Sequence, residues 1–171
     1  MAIAINKLTN ANIYINNVDL IGRAEEVTLP DVTYKMVEHN GLGMLGAVEF
    51  FSGIEKMEAS IKWGAIYQEV AELADPFKVH KFDLCGNLQS WDSSGLLQET
   101  KYKVHMEAAF KNFPTGMFKA RENVDMSTKM NVFSIKLEIG AVSVFELNAT
   151  TNKLTVNGKD LTAKYNANLG K

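Results

Sequence analysis

The chain has 171 residues, a formal net charge of −2, 46% apolar residues and 22% charged ones. That length suits one domain spanning 1–171 rather than two. The mix is that of a folded chain, not a disordered one, and the near-neutral balance excludes the basic stripe of a dedicated nucleic-acid binder.

The first elements expected are strands. Asn12-Ile13-Tyr14-Ile15 reads as a short strand, Asn16-Asn17 as a tight turn that tolerates positive φ, and Val18–Ile21 as its return. After Gly22, Ala24–Leu29 reads as a strand stopped by Pro30. Two alternating segments then dominate, Val32–Val37 and Met57–Trp63. In the second, Glu58, Ser60 and Lys62 share one face, and Met57, Ala59, Ile61 and Trp63 the other, as in a strand with one wet and one buried side. Between them an extended loop is expected over 39–53, broken by Gly41-Leu42-Gly43-Met44-Leu45-Gly46. Leu42, Met44 and Leu45 are costly to leave in water, so the loop is expected to dock on something.

One helix is expected, over 65–74, with Ile66, Val70, Leu73 and Ala74 on an apolar stripe and Gln68, Glu69 and Glu72 opposite. Gly64 precedes it and Asp75-Pro76 ends it. Strands follow at Val79–Leu88, Lys101–Ala108 and Phe133–Ile139, with Ala141–Leu147 continuing the last of these past a break at Gly140. Asp92–Gly95 supplies a turn, and Phe113–Gly116 with the polar stretch Arg121–Lys129 a connection. Asn157-Gly158 signals a hairpin from Leu154-Thr155-Val156 to Lys159-Asp160-Leu161, and 163–171 reads as a flexible or partner-docked tail. The class is mostly β, an antiparallel sandwich or barrel with one short helix outside.

No chemistry is expected. Cys85, the one cysteine, reads as a small buried hydrophobe. His39, His80 and His105 lack metal-ligand spacing and read as solvated or hydrogen-bonded side chains. Asp83, Glu107 and Glu138 sit on polar strand faces with nothing pairing them as acid and base. The glycine-rich loop lacks the lysine and following helix of a phosphate loop, and Ser93-Ser94-Gly95 has no nucleophile-elbow pattern. No catalytic residue, metal or cofactor is therefore assigned. Met1–Lys7 lacks the start and apolar length of a signal peptide, and no run approaches a membrane span, so a soluble protein made in the cytoplasm is expected. Long strands with few prolines leave edges that a second copy could pair with.

The order of several short motifs resembles the major tail tube protein of contractile-tailed bacteriophages and of R-type, pyocin-like bacteriocins. They are Leu8–Ile15, Val27–Pro30, the Gly43-Met44 loop, Gly53–Ala59, Phe145-Glu146-Leu147, Val156–Asp160 and Asn168-Leu169-Gly170. Asp31, Asn148 and Lys171 depart from that family's habit of a basic residue, an aspartate and an apolar end at the corresponding places.

The resemblance implies stacked hexameric rings whose strands join across subunits into a barrel, forming a conduit for double-stranded DNA without specific binding. It implies a sheath around the tube, baseplate and terminator proteins at its ends, a tape measure protein in the lumen, and assembly into a virion in the host cytoplasm. Leu42, Gly43, Met44, Leu45 and Gly46 would bridge subunits, Glu58, Ser60 and Lys62 would face the lumen, and Gln68, Glu69 and Glu72 would face the sheath. Two alternatives stay open. One is a monomeric ligand- or carbohydrate-binding barrel with a pocket lined by Trp63, Trp91, Tyr102 and Phe133, the other a type VI secretion-like tube.

Overall fold

The computed structural model describes residues 3–116 and 126–170. Its strands are β1 (Ile5–Ile15), β2 (Val18–Asp19), β3 (Ala24–Thr28), β4 (Tyr34–His39), β5 (Val48–Ile54), β6 (Met57–Trp63), β7 (His80–Asp92), β8 (Gly95–Phe110), β9 (Met126–Ile139), β10 (Val142–Asn148), β11 (Lys153–Val156) and β12 (Lys159–Asp160). Two short helices, α1 (Gln68–Leu73) and α2 (Ala163–Asn168), complete the described chain. Every pairing is antiparallel.

The main sheet runs β12-β11-β10-β9-β8-β7-β1-β2, with β6 also on β9 and β3 on β6. Strand β9 is shared: Ser134–Ile139 pairs with β10, whereas Met126–Val132 pairs with β6. The sheet therefore forks at β9, and its β3–β6 branch and its long strands contribute to one core. Ile13, Ile15, Phe82, Val104 and Met106 from the long strands are buried in the same cluster as Met57, Ala59, Ile61 and Trp63 from β6. The Trp63 indole N–H donates to the Thr128 hydroxyl at 2.9 Å, which satisfies two polar groups that the core would otherwise strand. The sheet is open and no barrel closes within the described chain, so the class is an antiparallel, mostly β sheet folded over a core.

Local chemistry explains the turns. Asn16 and Asn17 have φ of 51° and 66°, and Asn157 and Gly158 of 47° and 77°, which allow the two-residue turns that join β1 to β2 and β11 to β12. Asn16 also locks the start of β7. Its amide donates to His80 Nδ1 at 2.8 Å, and its carbonyl oxygen accepts from the Lys81 backbone N–H at 3.0 Å.

Several expectations need correction. The loop expected over 39–53 is confined to 40–47, because Val48–Ile54 forms β5 against β4. The helix is Gln68–Leu73 rather than 65–74, and Val70 is its one buried residue; Ile66 lies outside it and is exposed. Residues 163–168 of the expected tail form a helix, so the described residues hold two. Gly140, with φ of 62°, reverses the chain, and β10 folds back on β9 instead of continuing it. Of the expected connection Arg121–Lys129, residues 121–125 lie outside the described residues, and Met126–Lys129 begin β9. The first strand starts at Ile5 rather than Asn12.

Candidate assembly surfaces

The pairing register shows that two ladders form one arm. Thr28 faces Ser60 and Tyr34 faces Ile54, six residues further along one strand and six residues back along the other. Between the ladders Leu29-Pro30 interrupts β3, since proline has no N–H to donate. The Glu55 N–H donates to the Thr33 carbonyl at 2.9 Å and bridges the gap. Residues 24–39 and 48–63 are thus one long hairpin. Its inner half, β3–β6, closes the core, and its outer half, β4–β5, extends away from it.

The outer half is exposed on both faces. All six residues of β4 are exposed, and Tyr34, Met36, Val37, Val48, Phe50 and Phe51 stand in water. Direct cross-strand pairing puts Met36 with Phe51, and Val37 with Phe50 on the opposite face. Glu38 and Glu49 also stand directly opposite one another, a like-charge pair that weakens the hairpin alone. An isolated two-stranded hairpin is at best marginally stable, so this geometry calls for a further surface.

The tip is built around Gly41 and Gly43. The Met44 N–H donates to the Gly41 carbonyl at 3.2 Å, and the Gly41 N–H points to Met44 Sδ at 3.3 Å. A Cβ on Gly41 would sit 3.2 Å from that sulfur, and Gly43 has φ of 83°, so the turn favours glycine at both positions. Met44 folds back, whereas Leu42 and Leu45 are fully exposed. Gly46 follows in the same loop.

On β6, Glu58, Ser60 and Lys62 lie on the face away from the core, as the alternation implied, beside Asn131, Lys129 and Ser127 of β9. Glu58 is gripped by Lys111 at 2.5 Å and Lys56 at 3.0 Å. The Lys111 hydrogen bond, followed by that of Lys56, holds its carboxyl down at about 2. Lys62 lies 3.5 Å from Glu25 on β3.

The polar residues of α1 are already engaged. Glu69 pairs with Arg23 at 3.0 Å, its carboxyl lowered first by its own backbone N–H and then by that guanidinium, which also lies over the Tyr67 ring. Gln68 donates to Glu72 at 3.1 Å. The helix is pinned to the body through Glu69 and keeps Gln68 and Glu72 at the surface.

The structure also assembles a cluster that sequence reasoning missed. On the outer face of the main sheet, Asp83, His105, Lys136 and Glu146 form a direct cross-strand row over β7, β8, β9 and β10. His105 Nδ1 meets Asp83, and its Nε2 lies 3.5 Å from Glu138. Lys136 holds Glu138 at 2.6 Å, which lowers the carboxyl and raises the amine, and Lys153 holds Glu146 at 2.6 Å. Asp83 and Glu138 are 55 positions apart in sequence, so only the register brings them together. Among the described residues no group of three His, Cys, Asp or Glu side chains is arranged to hold a metal ion. The four aromatics of the ligand-pocket alternative do not converge. Trp63 is sealed in the core, Trp91 is exposed at the β7–β8 hairpin end, Tyr102 is half-buried in the middle of β8, and Phe133 sits at the β9 bulge. Among the described residues no helix is long and apolar enough to cross a membrane.

Comparison with known proteins identifies what this architecture is used for. The family described as phage tail tube protein FII matches residues 5–170, nearly the whole chain. This chain belongs to that family. It is a structural subunit of a tail tube, a component of a virion tail. The tail tube protein of Escherichia phage P2 is 23% identical over 174 residues, covering 96% of both chains. Two solved structures share the fold. A chain of a PVC extracellular contractile injection system, from its sheath-tube complex in the extended state, superposes with a TM-score of 0.51 at 14% identity, covering 75% of this chain and 87% of that one. A chain from the PVC sheath/tube terminator in the extended state gives 0.52 at 12% identity, covering 75% and 92%. The family is a structural one rather than a catalytic one.

Proposed function

We propose that copies of this chain stack as hexameric rings, each ring closing its strands across subunits into a barrel around a lumen. The whole of 1–171 acts as one tube domain. The observation that carries this reading is the β4–β5 half of the arm: a two-stranded hairpin, apolar on both faces, which the body covers only at its root, at Gly53 and Ile54. Burying one large apolar side chain contributes roughly 1.5–3 kcal/mol. Six such side chains on the hairpin and three on its tip make covering by neighbouring copies strongly favourable.

In this reading Leu42–Gly46 bridges subunits, while Glu58, Ser60 and Lys62 face the lumen. Of the lysines there, Lys56 and Lys111 are paired with Glu58 and Lys62 with Glu25, which lowers phosphate attraction for passing double-stranded DNA. Gln68, Glu69 and Glu72 on α1 face a sheath. Baseplate and terminator proteins bound the tube, a tape measure protein occupies the lumen during assembly in the host cytoplasm, and the finished tube penetrates an envelope. The extended-state relatives, named as sheath-tube and terminator complexes, support the sheath and terminator as partners.

Negative-stain electron microscopy of the purified protein, with light scattering on the same sample, tests the proposal. Hollow tubes or six-membered rings are the expected result. Strict monomer at high concentration, persisting after addition of a baseplate or tape-measure initiator, overturns it.

A further inference from the structure

The arm has an apolar knob at its tip, and the body has an apolar socket at its root. The socket is a groove of about 520 Å³ walled by Phe51 and Ile54 of β5 on one side and Leu161 and Tyr165 beside and on α2 on the other, with Leu147 and Leu154 beneath. Phe51, Leu161 and Tyr165 are each more than half exposed, so the groove is open. The knob is Leu42 and Leu45, fully exposed. A molecule cannot fill its own groove, because β4 and β5 run extended for six and seven residues and hold the tip roughly 20 Å from the root.

Charge follows the same direction. Glu38 and Glu49 face each other just behind the knob, and neither has a basic partner among the described residues. Lys159 on β12, two residues before the groove's Leu161, and Lys164 on α2, next to its Tyr165, are exposed and lack an acidic partner among the described residues. The intervening Asp160 is exposed too, but its carboxylate is already engaged, accepting from the Thr162 N–H and hydroxyl at 2.8 and 2.9 Å.

We infer that the arm tip of one copy inserts Leu42 and Leu45 into the groove between β5 and α2 of another copy, with Lys159 and Lys164 of the receiving copy meeting the Glu38–Glu49 pair. The inference rests on the tube reading and specifies one of its contacts. A knob at one end of a protomer and a socket at the other make a heterologous contact, which propagates from copy to copy rather than stopping at a dimer. The same contact relieves the like-charge pair that the lone arm carries. It also gives α2 a purpose that its own packing does not, since none of its residues is buried.

The test uses disulfide trapping in assembled protein. In a Cys85→Ser background, Leu45→Cys with Tyr165→Cys is oxidised mildly and run without reductant, each single substitution serving as control. A covalent ladder of dimers, trimers and higher species only in the double variant is expected. Normal tubes that yield no ladder overturn the docking site while leaving the tube reading intact. Wild-type protein that forms no tubes under any initiator overturns both. Should the cysteine variant fail to assemble, charge reversal decides. Glu38→Lys with Glu49→Lys is expected to abolish tube growth, and adding Lys159→Glu with Lys164→Glu to restore it. Growth unaffected by the first pair, or loss that the second pair does not rescue, overturns the inference, as does a groove filled by a different protein in isolated particles.

Discussion

Replacing Leu42, Met44 and Leu45 together by serine separates the stability of the subunit from the stability of the tube. In the lone subunit Leu42 and Leu45 touch nothing, and Met44 closes only its own turn through Gly41. Surface changes of that kind stay within about 0.5 kcal/mol of neutral, so thermal and urea unfolding should be nearly unchanged. In the tube each leucine contributes roughly 1.5–3 kcal/mol of burial. The pair therefore accounts for about 3–6 kcal/mol per contact, which raises the concentration needed for growth by about 10²- to 10⁴-fold. Met44, already partly covered, adds less. The assay is light scattering against protein concentration, with electron microscopy of the end products and circular dichroism melts of the same preparations. Tubes forming at the wild-type concentration would refute the docking role of the loop. A subunit that no longer folds would refute the claim that these side chains are idle in the monomer.

Other expected outcomes address the body. Trp63→Ala should cost about 3–5 kcal/mol in urea unfolding, through the cavity it leaves and the orphaned Thr128 hydroxyl, and Trp63→Phe distinctly less. Gly158→Ala should cost about 1–2 kcal/mol, because its φ of 77° strains any side chain, whereas Gly158→Asn should cost less. Glu58 supplies a pH signature. Its folded carboxyl sits at about 2 against an ordinary 4.5, so its contribution is complete above 4.5 and fades as pH falls towards 2. Glu58→Gln should flatten the acid side of the melting-temperature profile in that window and leave neutral pH little changed. A profile unaltered between pH 4.5 and 2 would show that the Lys111 and Lys56 contacts do not persist in solution.

The parts of the fold legible in the sequence are those in which one face is buried and the other wet. Met57, Ala59, Ile61 and Trp63 alternate with Glu58, Ser60 and Lys62 because β6 has the core on one side only, and all four apolar residues are buried. Turns were legible where chemistry leaves little choice, at Asn16-Asn17 and Asn157-Gly158. Strand β5 was illegible for the opposite reason. Val48-Glu49-Phe50-Phe51 carries apolar residues on both faces, since neither face packs on its own chain, and so lacks the alternation that marks a half-buried strand. The same two-sided apolarity that concealed the strand is the mark of an element built to be covered from outside.

The remaining surfaces depend on register, which a single sequence does not carry. Nothing near Lys136 announces Asp83 or Glu146, yet the hairpin turns at Asp92–Gly95 and Gly140 join β7 to β8 and β9 to β10, and the β8–β9 pairing aligns the two hairpins so that these side chains fall in one row. A one-residue slip in one of those strands would turn its member of the row into the core and expose its buried neighbour, Phe82, Met106, Ile135 or Leu147. The pattern of buried apolar residues therefore dictates where the charges meet, and the ion pairs of the outer face follow from the core rather than determine it. The arm obeys a different rule. With no core beneath β4 and β5, its register is set by the turn at Gly41–Gly46 and by continuity with β3–β6 across the Pro30 break. Its pairing is thus specified before any neighbour arrives, while its stability, with apolar residues on both faces and Glu38 opposite Glu49, waits for that neighbour.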